Sequence, residues 1–381
     1  MKVRLLLVAK AVSVACVAGC TTVTAFAPMP RQRAFVPNTA QHSAQTRLWA
    51  KTKSSAGSGD GFGSKTSSGP KKMSKKDALR KVQKTYGGTT PQDIARGTEQ
   101  RIEKSMKSLP QHLQIATQIY QQLQKWNARV STLSVLQQAN LAPQELDGAR
   151  RAHEELERIY AEHAFTQDDL HNIFQKITWD ASADAKAARA ITGVMPKDIA
   201  DRVDRACEIV AEAVKAAGPK GRCLDVGCGF GVLVSPLMKA GVVVEQIYGV
   251  DLSTEMIRNA QEQHRGVNFE ASDFLKDYQD SEGFDSIIFC AALHDLPDTI
   301  GALKRAARLL RPNGKLVICH PQGATHVAQQ NRVNNVLVKR GLPDAVELQS
   351  LDLGGLELIL EPAKAGTPQE TEDGYLAMLQ K

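Results

Sequence analysis

The first 59 residues contain no Asp or Glu, yet Lys2, Arg4, Lys10, Arg31, Arg33, Arg47, Lys51 and Lys53 all fall within them. That absence accounts for the formal charge of +7, because the remainder holds 40 basic against 41 acidic side chains, a net charge of −1. Whole-chain charge therefore makes no case for a nucleic-acid partner. Long apolar runs are also missing. The stretch from Leu5 to Gly19 is interrupted by Lys10 and is too short for a permanent membrane span. Paired cysteines are missing as well: of 7, Cys16 and Cys20 lie in the leader, and Cys207, Cys223, Cys228, Cys290 and Cys319 form no C-x-x-C pair. A disulfide framework is thereby excluded, and thiols in apolar runs behave as small hydrophobes suited to a reducing compartment. The helical half shows no internal repeat and no metal-ligand spacing, so no metal is expected.

What is present centres on residues 224–233, Leu-Asp-Val-Gly-Cys-Gly-Phe-Gly-Val-Leu. A short apolar run, Cys223 to Val226, suits a buried parallel strand and ends in Gly227, Gly229 and Gly231. Val232, Leu233, Leu237 and Met238 then recur at helical spacing, so the glycines form a strand-to-helix turn. Such a turn exposes bare backbone to a ligand, with a helix N-terminus behind it that favours a negative group. Asp225 sits inside the strand, and Asp251 closes the next apolar run, 20 residues after Gly231. An acid there can accept hydrogen bonds from both ribose hydroxyls.

Strands are expected near 222–226, 246–251, 267–271, 284–290 and 315–320, and helices near 232–240, 253–264 and 299–310. This alternation demands a parallel sheet with right-handed crossovers. Pro312-Asn313-Gly314 reads as a turn feeding the fifth strand. A helix near 344–353 and two final apolar pieces, 356–361 and 375–380, follow.

Upstream, residues 60–75 form a flexible linker, and residues 76–180 a helical domain ahead of a second domain at 181–381. Between 60 and 130 there are 14 basic against 5 acidic side chains, either a solvated helical face or a patch for an acidic protein partner at 71–130. Leu113, Ala116, Ile119, Tyr120, Leu123, Trp126, Val130 and Leu133 predict a long amphipathic helix over 111–139. Pro143 starts a second helix, Thr166 and Asp169 cap a third, and a separate Ala-rich helix runs from Trp179 to Gly193. Another helix carries Ile199, Val203, Ala206, Val210, Ala213 and Val214.

The leader has a signal-peptide layout followed by Ala25-Phe26-Ala27-Pro28 and an acid-free Ser/Thr/Arg-containing segment. It resembles the bipartite presequences of algae with secondary plastids, which implies cleavage and a plastid stroma location. Val17-Ala18-Gly19-Cys20 also resembles a bacterial lipoprotein box, the rival reading, which implies a secreted or lipid-anchored protein.

Taken together, the strand acid, the three spaced glycines and the acid after the second strand resemble the class I S-adenosylmethionine (SAM)-dependent methyltransferases, over about residues 196–381. The resemblance implies a Rossmann-like doubly wound sheet, mostly parallel, with an antiparallel last strand and an all-α N-terminal extension. It implies SAM as cofactor, held by Asp225, Gly227, Cys228, Gly229, Gly231, Asp251, Leu252, Asp273, Phe274 and Cys290. On this reading the turn amides take the methionine carboxylate, Asp251 takes the ribose, and Asp273 lies near the adenine amino group. Phe289-Cys-Ala-Ala-Leu-His-Asp-Leu-Pro-Asp298 resembles the corresponding segment of the ubiquinone and menaquinone branch. That makes His294 or Asp295 a candidate base, His294 and His320 candidate lining for a small-molecule acceptor, and residues 321–343 part of a lid.

Two alternatives stand beside it. Cys290 and Cys319 fall where RNA cytosine-5 methyltransferases keep two catalytic cysteines, although Ala291 and Ile318 depart from that pattern. A non-catalytic SAM-binding scaffold in a plastid complex would explain a long helical region with no chemistry in it. The Asx-Pro-Pro-aromatic motif of amino-group methyltransferases is absent.

Overall fold

The computed structural model describes residues 91–192 and 195–381; the leader, the linker at 60–75 and the first part of the basic stretch lie outside the described residues. Seven strands form one sheet: β1 (Cys223–Val226), β2 (Ile247–Asp251), β3 (Asn268–Ala271), β4 (Phe284–Cys290), β5 (Leu310–His320), β6 (Glu357–Leu360) and β7 (Tyr375–Gln380). Their order is β3-β2-β1-β4-β5-β7-β6. The first five pair in parallel, whereas β7 runs antiparallel to both β5 and β6. The expected Rossmann-like sheet with its antiparallel closing strand is therefore present. Because the order reverses between β1 and β4, a crevice opens above their carboxyl ends, where open α/β sheets bind ligands.

Two differences in the sheet have local causes. The Pro312-Asn313-Gly314 segment lies inside β5 rather than before it, with Asn313 at φ 63° and the β4–β5 register shifting between Phe284 and Ser286. The turn thus became a bulge within a longer strand. Between the two final apolar pieces, where no element is expected, lies a short helix, Pro368–Asp373, whose N-terminus is capped by the Thr367 side chain.

Helices cover both faces. α6 (Lys197–Ala216) and α7 (Val234–Lys239) pack Val203, Val210, Val214 and Leu237 against Ile288 and Val317 on one side. On the other, α9 (Thr299–Leu309) packs Ala302, Leu303 and Ala306 against Ile287, Phe289 and Leu316. α8 (Thr254–Gln263) follows β2, its start fixed by Ser253, whose hydroxyl accepts from the Met256 amide.

The N-terminal part is helical throughout: α1 (Pro91–Lys107), α2 (Gln111–Ser131), α3 (Val135–Gln138), α4 (Pro143–His163) and α5 (Gln167–Thr192). The single helix expected over 111–139 is broken, because Ser134 forms a reciprocal capping box with Gln137 and starts a new one. Conversely, the two helices expected on either side of residue 178 are one helix of 26 residues. Tyr120, Leu156, Ile159, Leu170 and Phe174 form the core of this region, and Val336 from beyond β5 is buried in it. No described helix is long and apolar enough to cross a membrane. The remaining helices are α10 (Ala324–Val333), α11 (Ala345–Ser350) and α12 (Pro368–Asp373).

Candidate functional site

The glycine turn after β1 owes its shape to two crowded positions and one open one. Gly227 and Gly231 have φ of 71° and 84°, and a Cβ on them would lie 2.5 Å from the Ala292 Cβ and 2.6 Å from His264. Gly229, at φ 54°, would meet nothing within 4 Å. The first and third glycines are therefore needed for packing, while the middle one leaves room for a ligand.

The amides of this turn are largely engaged within the protein. Those of Gly227 and Cys228 donate to the Val250 carbonyl, that of Gly231 donates to the Cys228 carbonyl, and that of Gly229 donates to Asp251 Oδ2 at 2.9 Å. Among the described residues only the Phe230 amide of this stretch lacks a protein acceptor. α7 begins three residues past Gly231 and spans 6 residues, so its dipole adds little. The expectation that the turn amides gather a carboxylate is corrected accordingly.

Above the turn lies a cavity of about 340 Å³, lined by each residue expected to touch the cofactor except Gly231. Gly231 instead supports the turn from beneath. Asp225 faces this cavity and is 5% exposed, and its carboxyl accepts no hydrogen bond among the described residues. Burial, and then the Asp251 carboxylate, push its pKa up to about 8. Asp251 accepts from the amides of Gly229 and Ser253, yet burial still pushes it up to about 6. Each of its oxygens retains a second lone pair for a ligand hydroxyl. At the β3 end, Asp273 accepts from the Leu275 amide at 2.8 Å, and Phe274 packs edge-on against Phe289 with ring centroids 5.7 Å apart.

These residues fit an adenosyl amino acid. The unpartnered Asp225 carboxyl suits an amine, Asp251 suits a diol, and Val250, Leu252 and Phe274 supply apolar surface beside Asp273 for a purine.

The acceptor end differs from expectation. Asp295 lines the cavity, but His294 and His320 do not. His294 is buried behind Asp295, its Nε2 3.6 Å from Oδ1 of that residue, and its Nδ1 has no partner. Its ring meets His320 at 5.1 Å, and His320 meets His326 at 5.6 Å. Burial, reinforced by the neighbouring imidazoles, holds His320 well below the usual imidazole value and therefore uncharged. A short 3₁₀ turn, Leu293–Asp295, causes this: it presents Asp295 to the cavity and turns His294 inward. Burial also raises the Asp295 carboxyl above its ordinary value, against the pull of His294 and Lys186.

Cys290 and Cys319 are register partners across β4 and β5. A hydrogen bond with Cys319, and then burial, raise the Cys290 thiol well above its usual value, the opposite of what a cysteine nucleophile needs. The two-cysteine alternative is thus corrected.

Sequence reasoning missed the roof. α5 sends Asn172, Gln175, Trp179 and Lys186 into the cavity. Asn172 Nδ2 donates to Asp273 Oδ2 at 2.6 Å, and Gln175 donates to the carbonyls of Asp295 and Leu337. Asp180 accepts from Ser253 Oγ and the Glu255 amide, and Asp184 from Arg258 and Asn259. The helical region therefore does carry site residues. Of the segment 321–343, expected as lid, Pro321 alone lines the cavity; Val336 and Leu337 pack into the helical region instead.

Residues 218–365 match the family described as a methyltransferase domain. The match spans β1 to β6 and leaves out α1 to α6, so the α5 roof lies outside the methyltransferase-domain segment. A ubiquinone biosynthesis O-methyltransferase of Coxiella burnetii is 36% identical over 97 residues, covering 24% of this chain and 40% of that protein. A demethylmenaquinone methyltransferase of Corynebacterium kroppenstedtii is 28% identical over 154 residues, covering 40% of this chain and 64% of that protein. The chain thus spans less than two thirds of these curated relatives. Among solved structures, a SAM-dependent methyltransferase from Mesorhizobium loti aligns over 46% of this chain and 100% of its own, at 18% identity and a TM-score of 0.35.

Proposed function

We propose that the protein is a SAM-dependent methyltransferase acting on a small molecule, with the cofactor lying between the glycine turn and α5. The observation that carries this reading is the buried, unpartnered Asp225 carboxyl beside Asp251 in a cavity built on a glycine turn. When bound, SAM supplies an electrophilic methyl group on a sulfonium. The chain's own residues hold and exclude. Asp225 receives the amine, Asp251 the ribose hydroxyls, and Asp273 the adenine amino group, while Leu252 and Phe274 flank the base. Trp179, Met195, Ile199 and Phe230 give the remaining wall an apolar surface, which keeps water from the reacting groups and favours in-line approach by proximity. Asp295 is the cavity group placed to take the proton of an acceptor hydroxyl at a carboxylate oxygen.

The names of the curated relatives, together with this apolar wall, support isoprenoid, quinone and phenolic acceptors as the first to screen. The scaffold alternative loses its premise once the helical region furnishes four cavity residues. The acid-free leader supports delivery to a plastid stroma, and the basic stretch 71–130 supports an acidic protein partner. A fluorescent fusion of residues 1–59 that stays outside plastids would refute the first.

Calorimetric titration of SAM into the full chain, beside Asp251→Ala, tests the main reading. Saturable binding is expected, weakened by about 1–3 kcal/mol in the variant as ribose hydroxyls lose their acceptor. A folded protein that does not bind SAM refutes it.

A further inference from the structure

We infer that Lys186, on α5, binds the methionine carboxylate of SAM, so that the N-terminal helix completes the cofactor site; this rests on the methyltransferase reading. The first observation is the state of the turn. The amides of Gly227, Cys228, Gly229 and Gly231 donate to protein acceptors. The Phe230 amide remains, and one amide leaves most of a carboxylate's acceptor sites unmet.

The second observation is charge. Asp225, Asp251, Asp273 and Asp295 all line the cavity, and Lys186 is the single basic side chain among its described lining residues. Bringing a carboxylate into a low-dielectric space beside four acids is unfavourable unless a cation meets it.

Position agrees with charge. Asn172 marks the Asp273 end of α5, the adenine end of the cavity. Lys186 lies 14 residues further along the same helix, roughly 20 Å away at about 1.5 Å per residue, and its Nζ stands 3.8 Å over the Trp179 ring. The aromatic face orients the ammonium, whose charge also acts on the Asp295 carboxyl beside it in the cavity. Asp225, facing the cavity without a partner, takes the α-amine of the same zwitterion. Opposite charges of the ligand are thus met from opposite sides, the amine by the sheet and the carboxylate by the helix.

The test compares SAM with decarboxylated SAM, which keeps the amine, ribose and adenine but lacks the carboxylate. In the full-length protein, Lys186→Met is expected to weaken SAM and S-adenosylhomocysteine binding by about 10- to 100-fold, as for loss of a charge-assisted hydrogen bond. Its affinity for decarboxylated SAM should stay within about twofold of wild type, and Lys186→Arg should restore most of the SAM affinity. Equal weakening of both ligands overturns the inference, because the substitution then acts through the fold of α5. Unchanged SAM affinity overturns it as well. A wild-type protein that binds neither ligand overturns the methyltransferase reading and this inference with it.

Discussion

Asp225 concentrates the chemistry of the site in one carboxyl. Its pKa of about 8 in the free protein, against about 3.8 for an ordinary Asp, follows from burial and the nearby Asp251. The folded state therefore holds a proton that the unfolded chain gives up, and the group removes stability as pH rises from about 4 to 8. Asp225→Asn should flatten that decline, which thermal melts of the two proteins at pH 5 and pH 8 would reveal. A ligand amine placed against Asp225 lowers its pKa, so binding near neutral pH should expel roughly one proton. Titrating SAM in phosphate and in Tris measures that release from the difference in heats; equal heats in both buffers would contradict it. The glycines separate by role on the same scale. Gly227→Ala forces a Cβ onto Ala292 at positive φ and should cost about 2 kcal/mol or more in urea unfolding. Gly229→Ala has open space at its Cβ and should cost only about 1 kcal/mol of backbone strain, while placing a methyl in the cavity and weakening SAM binding.

At the scale of elements, α5 is the strap that joins the helical region to the sheet. Asp180 is its chief tie, since Oδ1 accepts from both Ser253 Oγ and the Glu255 amide at the start of α8. Asp180→Ala leaves the buried Ser253 hydroxyl without its acceptor and should cost about 1–3 kcal/mol. Hydrogen exchange should rise across 171–192 before it rises in β1 or β4; unchanged protection of the helix would refute the tie. The strands were legible from sequence because each is a short apolar run bounded by turn residues, and the observed β1 to β4 ends lie within a residue of expectation. Asp225, Asp251 and Asp273 were legible because they stand respectively within, at the end of and just beyond such runs. α5 was not, because Asn172, Gln175 and Trp179 lie on the face opposite the stripe that buries Leu170 and Phe174, where polar side chains read as solvated surface. A cavity-facing stripe and a core-facing stripe share one periodicity. Lys186 gave no separate sign, because the same Ala-rich stretch also carries Asp180, Asp184 and Arg189. His294 was misplaced for a different reason: sequence locates a residue after β4 but does not tell which side of a single 3₁₀ turn it will occupy.

For the whole molecule, the sheet supplies the floor of the cavity and the N-terminal helices its roof, from opposite ends of the chain. Asn172 reaches Asp273, and Gln175 reaches the Leu337 carbonyl, across sequence separations of 101 and 162 residues. Such pairings close late, since a long loop must be ordered before they contribute. During synthesis α5 leaves the ribosome well before β4 exists to receive it. At about 5–20 residues per second, the stretch from Gln175 to Leu337 takes on the order of ten seconds to make. Through that interval Leu170 and Phe174 can already pack on α2 and α4, but Trp179 has no sheet beneath it, and the helix is a natural client for a chaperone that shields apolar surface until the floor arrives.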